Sequence, residues 1–567
     1  MMFSRARFSL IVLLGSGSLA TLLITPFLSL DPINLPKMLV VVTGASLLLT
    51  HLAINFNELL REQPVIFVTS STFIVLLTIA LLTNPAPWAD QLWGTWGRST
   101  GYLTYFAFIV FMLSAALITS KSESRVTLQV FERVSYFISG YALLQALDLD
   151  PIAWSQKAMV ATLGNINFMS SFLGLASISF LTRLLVEKLS ITAKIHYSFF
   201  LLLNLSLIWI SGSIQGLAIF ASGGTTLVAM VLRRRTDLKR AIYWLLFTIP
   251  LGAMVFFGTA GIGPLATLRQ ETVIFRRDYW LAGINMTKEN WLNGVGIDTY
   301  GDYYQQYRDL DAVVRTGPQR VTNTAHNIFL DVSSGAGLLA GLSFLAIFAI
   351  TFRVILNMFK TGDFTSTDLA IVGIFIGFVI FCLISINQIG VGIWGFIFMG
   401  YLQGWRGRQK IDDMSQSQNV MRRNSREGVG EDSFKAFPGL FTILLGLSGF
   451  ILSLTPNITD ARMLAAVKSE NFDVMLDVVS NGSASQAHKD KYINFMLQRG
   501  RDAEAYEFAL KTLELNQRNE LALRVIGSYE GAPKNLRVAS LEKLIEQDPN
   551  NLDSVKGIQS LIKALDK

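Results

Sequence analysis

The 567-residue sequence contains only four histidines, and one of them stands where proton-transfer chemistry would need it. His51 lies at the end of an apolar run, His196 in a connection between two runs, and His488 in a polar C-terminal region. His326 alone falls in the long polar segment 260–335, just ahead of another apolar run. Imidazole is the side chain best able to take a proton near neutral pH. The same segment carries Arg269, Arg276, Arg277, Lys288, Arg308, Arg315 and Arg320, interleaved with Trp280, Trp291, Tyr300, Tyr303, Tyr304, Tyr307 and Phe329. Guanidinium forks match phosphate oxygens in pairs, so a base beside arginines suggests chemistry on an anionic, phosphate-bearing ligand. The alternatives are a structural interfacial histidine and ordinary solvated charges. Asp298, Asp302, Asp309 and Asp311 lack metal-site spacing, and no metal or other cofactor is expected.

The elements that must position these residues are membrane helices. Hydrophobic residues make up 51% of the chain and charged residues 16%, against about 25% charged in a soluble domain. Apolar runs near 8–28, 38–54, 65–82, 102–119, 127–147, 167–185, 197–211, 214–232, 241–259, 336–358, 368–386, 389–404 and 437–454 approach the ~20 residues of a helical span. The expected fold is all-α, a polytopic bundle of about 12–13 spans. The first run follows Arg5 and Arg7 and reads as an uncleaved first helix rather than a signal peptide. Lys and Arg collect in alternate connections: Arg61; Lys121 and Arg125; Arg183, Lys188 and Lys194; Arg233 to Arg240; Lys360; and Arg406 to Lys435. The orientation rule then puts the N-terminus inside and segment 260–335 outside. The net charge of +7 follows from this distribution, and no nucleic-acid partner is expected. Cys382 is the single cysteine and excludes an internal disulfide.

The expected organisation is a bundle at 1–410, a polar cytoplasmic linker at 411–436, a last span at 437–454, and a soluble helical tail at 460–567 on the same side as segment 260–335. In the tail, "ALKTLELNQRNELAL" and "SLEKLIEQDPNNLDSV" place Asn516 and Asp548 32 residues apart, close to the ~34-residue tetratricopeptide period. A partner-binding surface and a helical domain without a binding task are equal readings of it. Within 260–335, "FRRDYWLAGINM" predicts a short helix with Arg276 and Trp280 one turn apart, broken by Asn293, Gly294 and Gly296. Asn327 and Asp331 can each either orient the imidazole or cap the next helix.

In order, "RRDYW", "NGVGIDTYGDYY" and "TAHNIFLD", followed by the Gly-rich "SSGAGLLAG", resemble the O-antigen ligase and O-antigen polymerase superfamily, which includes bacterial protein O-oligosaccharyltransferases. Upstream, "WGRSTGYLTYFAF" is similar to the family's Arg-x-x-Gly entry to an early span, and "TLGNINFMSSFLG" to its Gly-Asn-Pro-Asn segment, with Ile166 where proline is common. The resemblance covers about residues 60–405. It implies a metal-independent glycosyltransferase of the bacterial cell (inner) membrane. Such an enzyme moves a glycan from an undecaprenyl-diphosphate carrier to an acceptor hydroxyl on a glycan, lipid or protein. His326 matches the family's outer-loop histidine, the general base; Arg276 matches the loop arginine four residues before a tryptophan, here Trp280; and Arg98 matches the early-loop arginine. The family's Ser-Arg-Gly reads "SGSIQGLAIF" here. Gln215 in the arginine's place brings no charge, so Arg277 or Arg320 is expected to supplement Arg276 on the diphosphate. A polysaccharide polymerase of the same superfamily uses the same donor and similar residues. A lipid-glycan transporter or flippase needs polar groups along the spans, and these spans read as mostly bland.

Overall fold

The computed structural model describes residues 5–118, 120–152, 154, 158–405, 407, 409 and 439–566. Among them every regular element is a helix. Each of the thirteen predicted spans coincides with one. Among the described residues nine helices are long and apolar enough to cross a bilayer, and Phe8–Leu22, Tyr102–Ala116 and Ile389–Gln403 are shorter apolar helices. The thirteenth, Lys121–Ala146, is a 26-residue helix with a polar face. The protein is thus a polytopic membrane helix bundle. The predicted linker at 411–436 lies outside the described residues.

Between helices in a bilayer there is little hydrophobic drive, so close packing through small residues substitutes for it. A Cβ on Gly216 would lie 2.3 Å from the Ser170 carbonyl oxygen, and one on Gly223 2.5 Å from that of Gly373. Helices Ile166–Val186, Ile214–Arg235 and Ser366–Ile384 therefore approach backbone to backbone. The last long helix, Gly439–Lys468, seats Gly446 and Gly449 against the side chains of Leu47 and Ser46 of helix Asn34–Ile54.

Several local outcomes differ from the sequence expectation. The first helix stops at Leu22, and residues 23–33 turn back, closed by Thr25 N–H donating to the Pro32 carbonyl at 2.8 Å. His196 lies inside helix Ile191–Ile210, sharing a hydrogen bond of 2.8 Å with the Tyr136 hydroxyl, rather than in a connection. The spans are also less bland than their composition implies. Helix Lys121–Ala146 buries Glu132, paired at 2.9 Å with Arg183, so each charge has its partner away from water.

The helix predicted to end at 454 continues unbroken to Lys468 despite Pro456. Proline has no N–H to give to the carbonyl four residues earlier, here Leu452. The Trp93 indole N–H takes that place, at 3.0 Å from the Leu452 oxygen. The extra turns carry Asp460 out to the end of the bundle, where its fully buried carboxylate accepts from four donors. These are Leu30 N–H at 2.5 Å, Asp31 N–H at 3.0 Å, Trp96 Nε1 at 2.9 Å and His488 Nε2 at 2.9 Å. Beyond it, six helices from Phe472 to Asp566 pack each against the next. Asn516 and Asp548 cap the C-termini of helices Asp502–Leu515 and Lys534–Gln547, which is their equivalent place. The tail, the 23–33 turn, segment 84–101 and segment 260–335 meet at one end of the bundle. At the other end Arg233 donates to the Phe359 and Lys360 carbonyls and Arg235 to that of Leu185.

Asp460→Ala strands four buried donors, each worth about 1–3 kcal/mol when left unpaired. The variant is expected to melt at a clearly lower temperature in detergent and to exchange amide protons faster at residues 23–33 and 94–98. Wild-type melting and exchange would show that these loops are held by something else.

Candidate active site around His326

Segment 260–335 consists of helices joined by turns and irregular stretches. The predicted short helix is 19 residues long, Glu271–Glu289, and ends at Asn290. Helices Gly301–Tyr307, Leu310–Thr316 and Ile328–Ala336 follow. Between them the chain presses against the end of the last of these: Val295 and Gly296 N–H donate to the Ser334 and Gly335 carbonyls at 2.8 and 3.0 Å. Gly294 has φ 67° there, and a Cβ on it would come within 2.3 Å of the Gly335 backbone, so only glycine fits. Tyr279, Ala282, Met286, Val295, Tyr300, Tyr304 and Ala325 form a small core of their own. Part of the segment's aromatic content is therefore structural.

His326 sits on that core in the left-handed region, φ 52°, a costly conformation for a residue with a Cβ. Its neighbours hold it there. Its N–H donates to Thr324 Oγ1 at 2.7 Å, and the preceding Ala325 N–H donates to Asp331 Oδ1 at 2.8 Å. Asn327 caps the next helix, accepting from Phe329 and Leu330 N–H at 3.1 and 3.2 Å. Of the two alternatives left by the sequence, Asn327 is thus a cap, and Asp331 orients the backbone that bears the ring rather than the ring itself. The imidazole stacks on Tyr279, with centroids 5.4 Å apart and planes at 28°. The Tyr279 carbonyl is in turn fixed by the Tyr300 hydroxyl at 2.6 Å.

Arg276 and Trp280 lie one turn apart on the helix that supplies Tyr279. Arg276 is half-buried, and both its Nε and the Trp280 Nε1 are buried donors without a partner among the described residues. Buried donors are rarely left so in native structures, and two on one helix face beside an imidazole suit a ligand rich in acceptor oxygens. Arg98 is also at the site but is already engaged. Its guanidinium pairs with Asp298 and donates to the Asn323 carbonyl at 2.5 Å. Asp298 in addition accepts from Thr95 N–H and Thr100 Oγ1, at 2.8 and 3.0 Å. Arg98 therefore ties segment 84–101 to the strand of chain that leads into His326. Arg320 lies over the Phe275 ring, 4.2 Å from its centroid, and Arg277 is exposed. Gln215 is buried at the start of its helix with Nε2 unpartnered, two residues from the Asn167–Ser213–Ser170 hydrogen-bond chain. Among the described residues no hydrogen bond or ion pair joins it to Arg276 or His326.

The electrostatics follow from this geometry. Burial pushes the His326 pKa down to about 4, and the Arg276 and Arg98 cations push the same way. Burial pulls the Arg276 guanidinium down from its usual value, yet arginine remains charged at any physiological pH. Asp331 is raised by burial to about 6, against the opposing pull of Arg98 and the Ala325 N–H. At neutral pH the site thus holds an uncharged imidazole, able to accept a proton, near two guanidinium groups, of which Arg98 is paired with Asp298 and Arg276 keeps an unpartnered Nε.

Residues missed by the sequence reading are Asp298, Tyr279 and Thr324. Asp298 was weighed only as a metal ligand; its φ of 63° and its pairing with Arg98 have no sequence signature beyond the flanking glycines. Residues 199–345 match a protein-family model described as O-antigen ligase. The matched stretch contains Gln215, Arg276, Trp280 and His326. No curated protein matches the chain.

A depressed histidine pKa means that the neutral form persists as pH falls through 6.5 and is lost only near 4. Histidine C2-proton exchange followed by mass spectrometry should place the His326 midpoint near 4 in the free protein, and higher in Arg276→Gln. A midpoint at 6.5 would contradict the described burial and charge.

Proposed function

We propose that the chain is a membrane glycosyltransferase of the O-antigen ligase type, moving a glycan from an undecaprenyl-diphosphate carrier to an acceptor hydroxyl. The observation that carries this reading is the neutral His326 beside Arg276 and the unpartnered Arg276 and Trp280 donors, within the stretch that matches the family model. The chemistry is the same for a glycan, a lipid or a protein acceptor, since each offers the same O–H.

In the reaction the diphosphate lies against Arg276, with Arg277 and Arg320 adding positive charge and Arg98 acting from its fixed place behind them. His326 accepts the proton of the acceptor hydroxyl. The acceptor oxygen forms a bond to the anomeric carbon from the face opposite the diphosphate, with inversion. The bond from that carbon to the phosphate oxygen breaks, and its electron pair leaves with undecaprenyl diphosphate. The His326 proton then passes to water or to the leaving group. The diphosphate is already an activated leaving group, so the scheme routes no step through a metal. Gln215 remains a candidate donor to the carrier or glycan through its free amide. The exposed apolar helices Leu238–Thr259 and Ile191–Ile210 face lipid, where the carrier's chain resides. The reaction takes place on the outer face of the membrane, with the tail on that side as a surface for an acceptor or a protein partner.

Among the described residues, the buried Glu132–Arg183 pair and the buried Lys37 in helix Asn34–Ile54 favour a second reading, a transporter of lipid-linked glycan. Turnover of labelled donor by purified protein in detergent separates the two, and the fraction that gains the label separates ligase from polymerase.

His326→Ala should lower transfer on the order of 10²–10⁴-fold, the usual loss for a positioned base, while the protein still inserts and folds. Arg276→Gln should weaken donor use and lower turnover together, because the lost charge serves both the bound diphosphate and the charge that builds on it. Full activity of either variant would remove that residue from the mechanism.

A further inference from the structure

The C-terminal helices touch the reaction segment at several points that the proposed chemistry does not use. Arg308 is almost completely buried, with 1% of its side chain exposed. One of its terminal nitrogens, Nη2, donates to both oxygens of Asp548, each at 2.9 Å, and the other, Nη1, to the Pro318 and Arg320 carbonyls at 3.0 and 3.1 Å. Asn550 Nδ2 donates to the Arg308 carbonyl at 2.8 Å. Arg518 lies 4.0 Å from the centroid of the Tyr303 ring and donates to the Asp302 carbonyl at 3.2 Å. One guanidinium thus holds together the tail and the backbone that carries Arg320. Arg320 rests on Phe275, the residue beside Arg276.

We infer that the C-terminal helical region is a fixed part of the reaction site's frame, docked during turnover, with Arg308 and Asp548 as positioning residues that set Arg276 and the turn bearing His326. The inference rests on the transferase reading for its kinetic consequence and on the geometry alone for its structural one. A buried, paired charge is costly to strand, so the tail stays seated as long as the pair is intact. The tail is then not a free arm that gathers acceptor and swings to the site. Any surface it offers an acceptor is held at constant distance from His326.

The test uses full-length protein carrying Asp548→Asn, Arg308→Gln, the two together, and Asp548→Glu. Each is assayed for donor turnover and for amide hydrogen exchange. The expected result is a kcat loss on the order of 10- to 100-fold in each single variant, the scale of a misplaced reacting group, with donor KM little changed. The double variant is no worse than either single one, and Asp548→Glu recovers part of the activity. Exchange should rise at residues 301–327 while residues 486–547 stay protected, which separates undocking from unfolding of the tail. Wild-type kcat in both single variants, or losses that multiply in the double variant, would overturn the inference. If the wild-type protein transfers no glycan, the transferase reading fails, and exchange alone decides: faster exchange at 301–327 in Asp548→Asn upholds the frame, and unchanged exchange rejects it.

Discussion

A single carboxylate organises the end of the molecule where the candidate chemistry lies. Asp460 is fully buried, and a buried charge is tolerated only when its oxygens are filled with donors. Its donors come from three distant parts of the chain: the turn after the first helix, the indole of Trp96, and His488 of the tail. Trp96 leads to Arg98 within two residues, and Arg98 reaches Asp298 and the Asn323 carbonyl. The route from a C-terminal helix to the histidine turn is therefore a short series of hydrogen bonds. The tail and the bundle are joined through a rigid helix rather than a tether, because Gly439–Lys468 has no break at Pro456.

The basic residues of segment 260–335 divide by what they touch. Arg308 and Arg315 are paired, the latter with Asp278 at 3.5 Å, and Arg320 packs on an aromatic ring. Arg269, Arg277 and Lys288 are exposed, so solvation accounts for them. Arg276 alone combines partial burial, an unpartnered Nε and electrostatic contact with the imidazole. A count of arginines suggests an anion; among the described residues, their partners single out Arg276 as the half-buried guanidinium with an unpartnered Nε in electrostatic reach of the imidazole.

The helices were legible in the sequence because the bilayer imposes a length and an apolar composition on every span. Boundaries were less so where local signals mislead. The apolar run ends at 454, yet the helix continues past Pro456, where Trp93 satisfies the carbonyl that proline leaves free. Likewise Arg183 counts in the sequence as a charge of a connection, and only the packed helices pair it with Glu132. At the site, the order of His326, Arg276 and Trp280 along the chain sufficed to nominate them. The clamp by Asp298, the stacking by Tyr279 and the docking by Asp548 arise between residues tens to hundreds of positions apart, and no local pattern records them. Gln215 was nominated by its place in a motif, and its surroundings in the fold are those of a helix start beside Ser213.

The depressed basicity of His326 has a consequence for the order of events. An imidazole between two cations is a weak base, and Brønsted behaviour makes a weak base a slow one. An anionic diphosphate against Arg276 cancels part of the positive field and raises the imidazole's affinity for a proton. On the proposed transferase reading, base strength would then be coupled to the presence of the donor: without the diphosphate, His326 would have little tendency to activate a hydroxyl, water included. Departure of the diphosphate would restore the field and favour release of the proton that His326 had acquired. The strained φ at His326 fits the same logic, since Thr324 and Asp331 fix the backbone that bears the ring and the ring itself stacks on Tyr279. The arginines would thus serve twice, as a cradle for the leaving group and as the control on when the base acts.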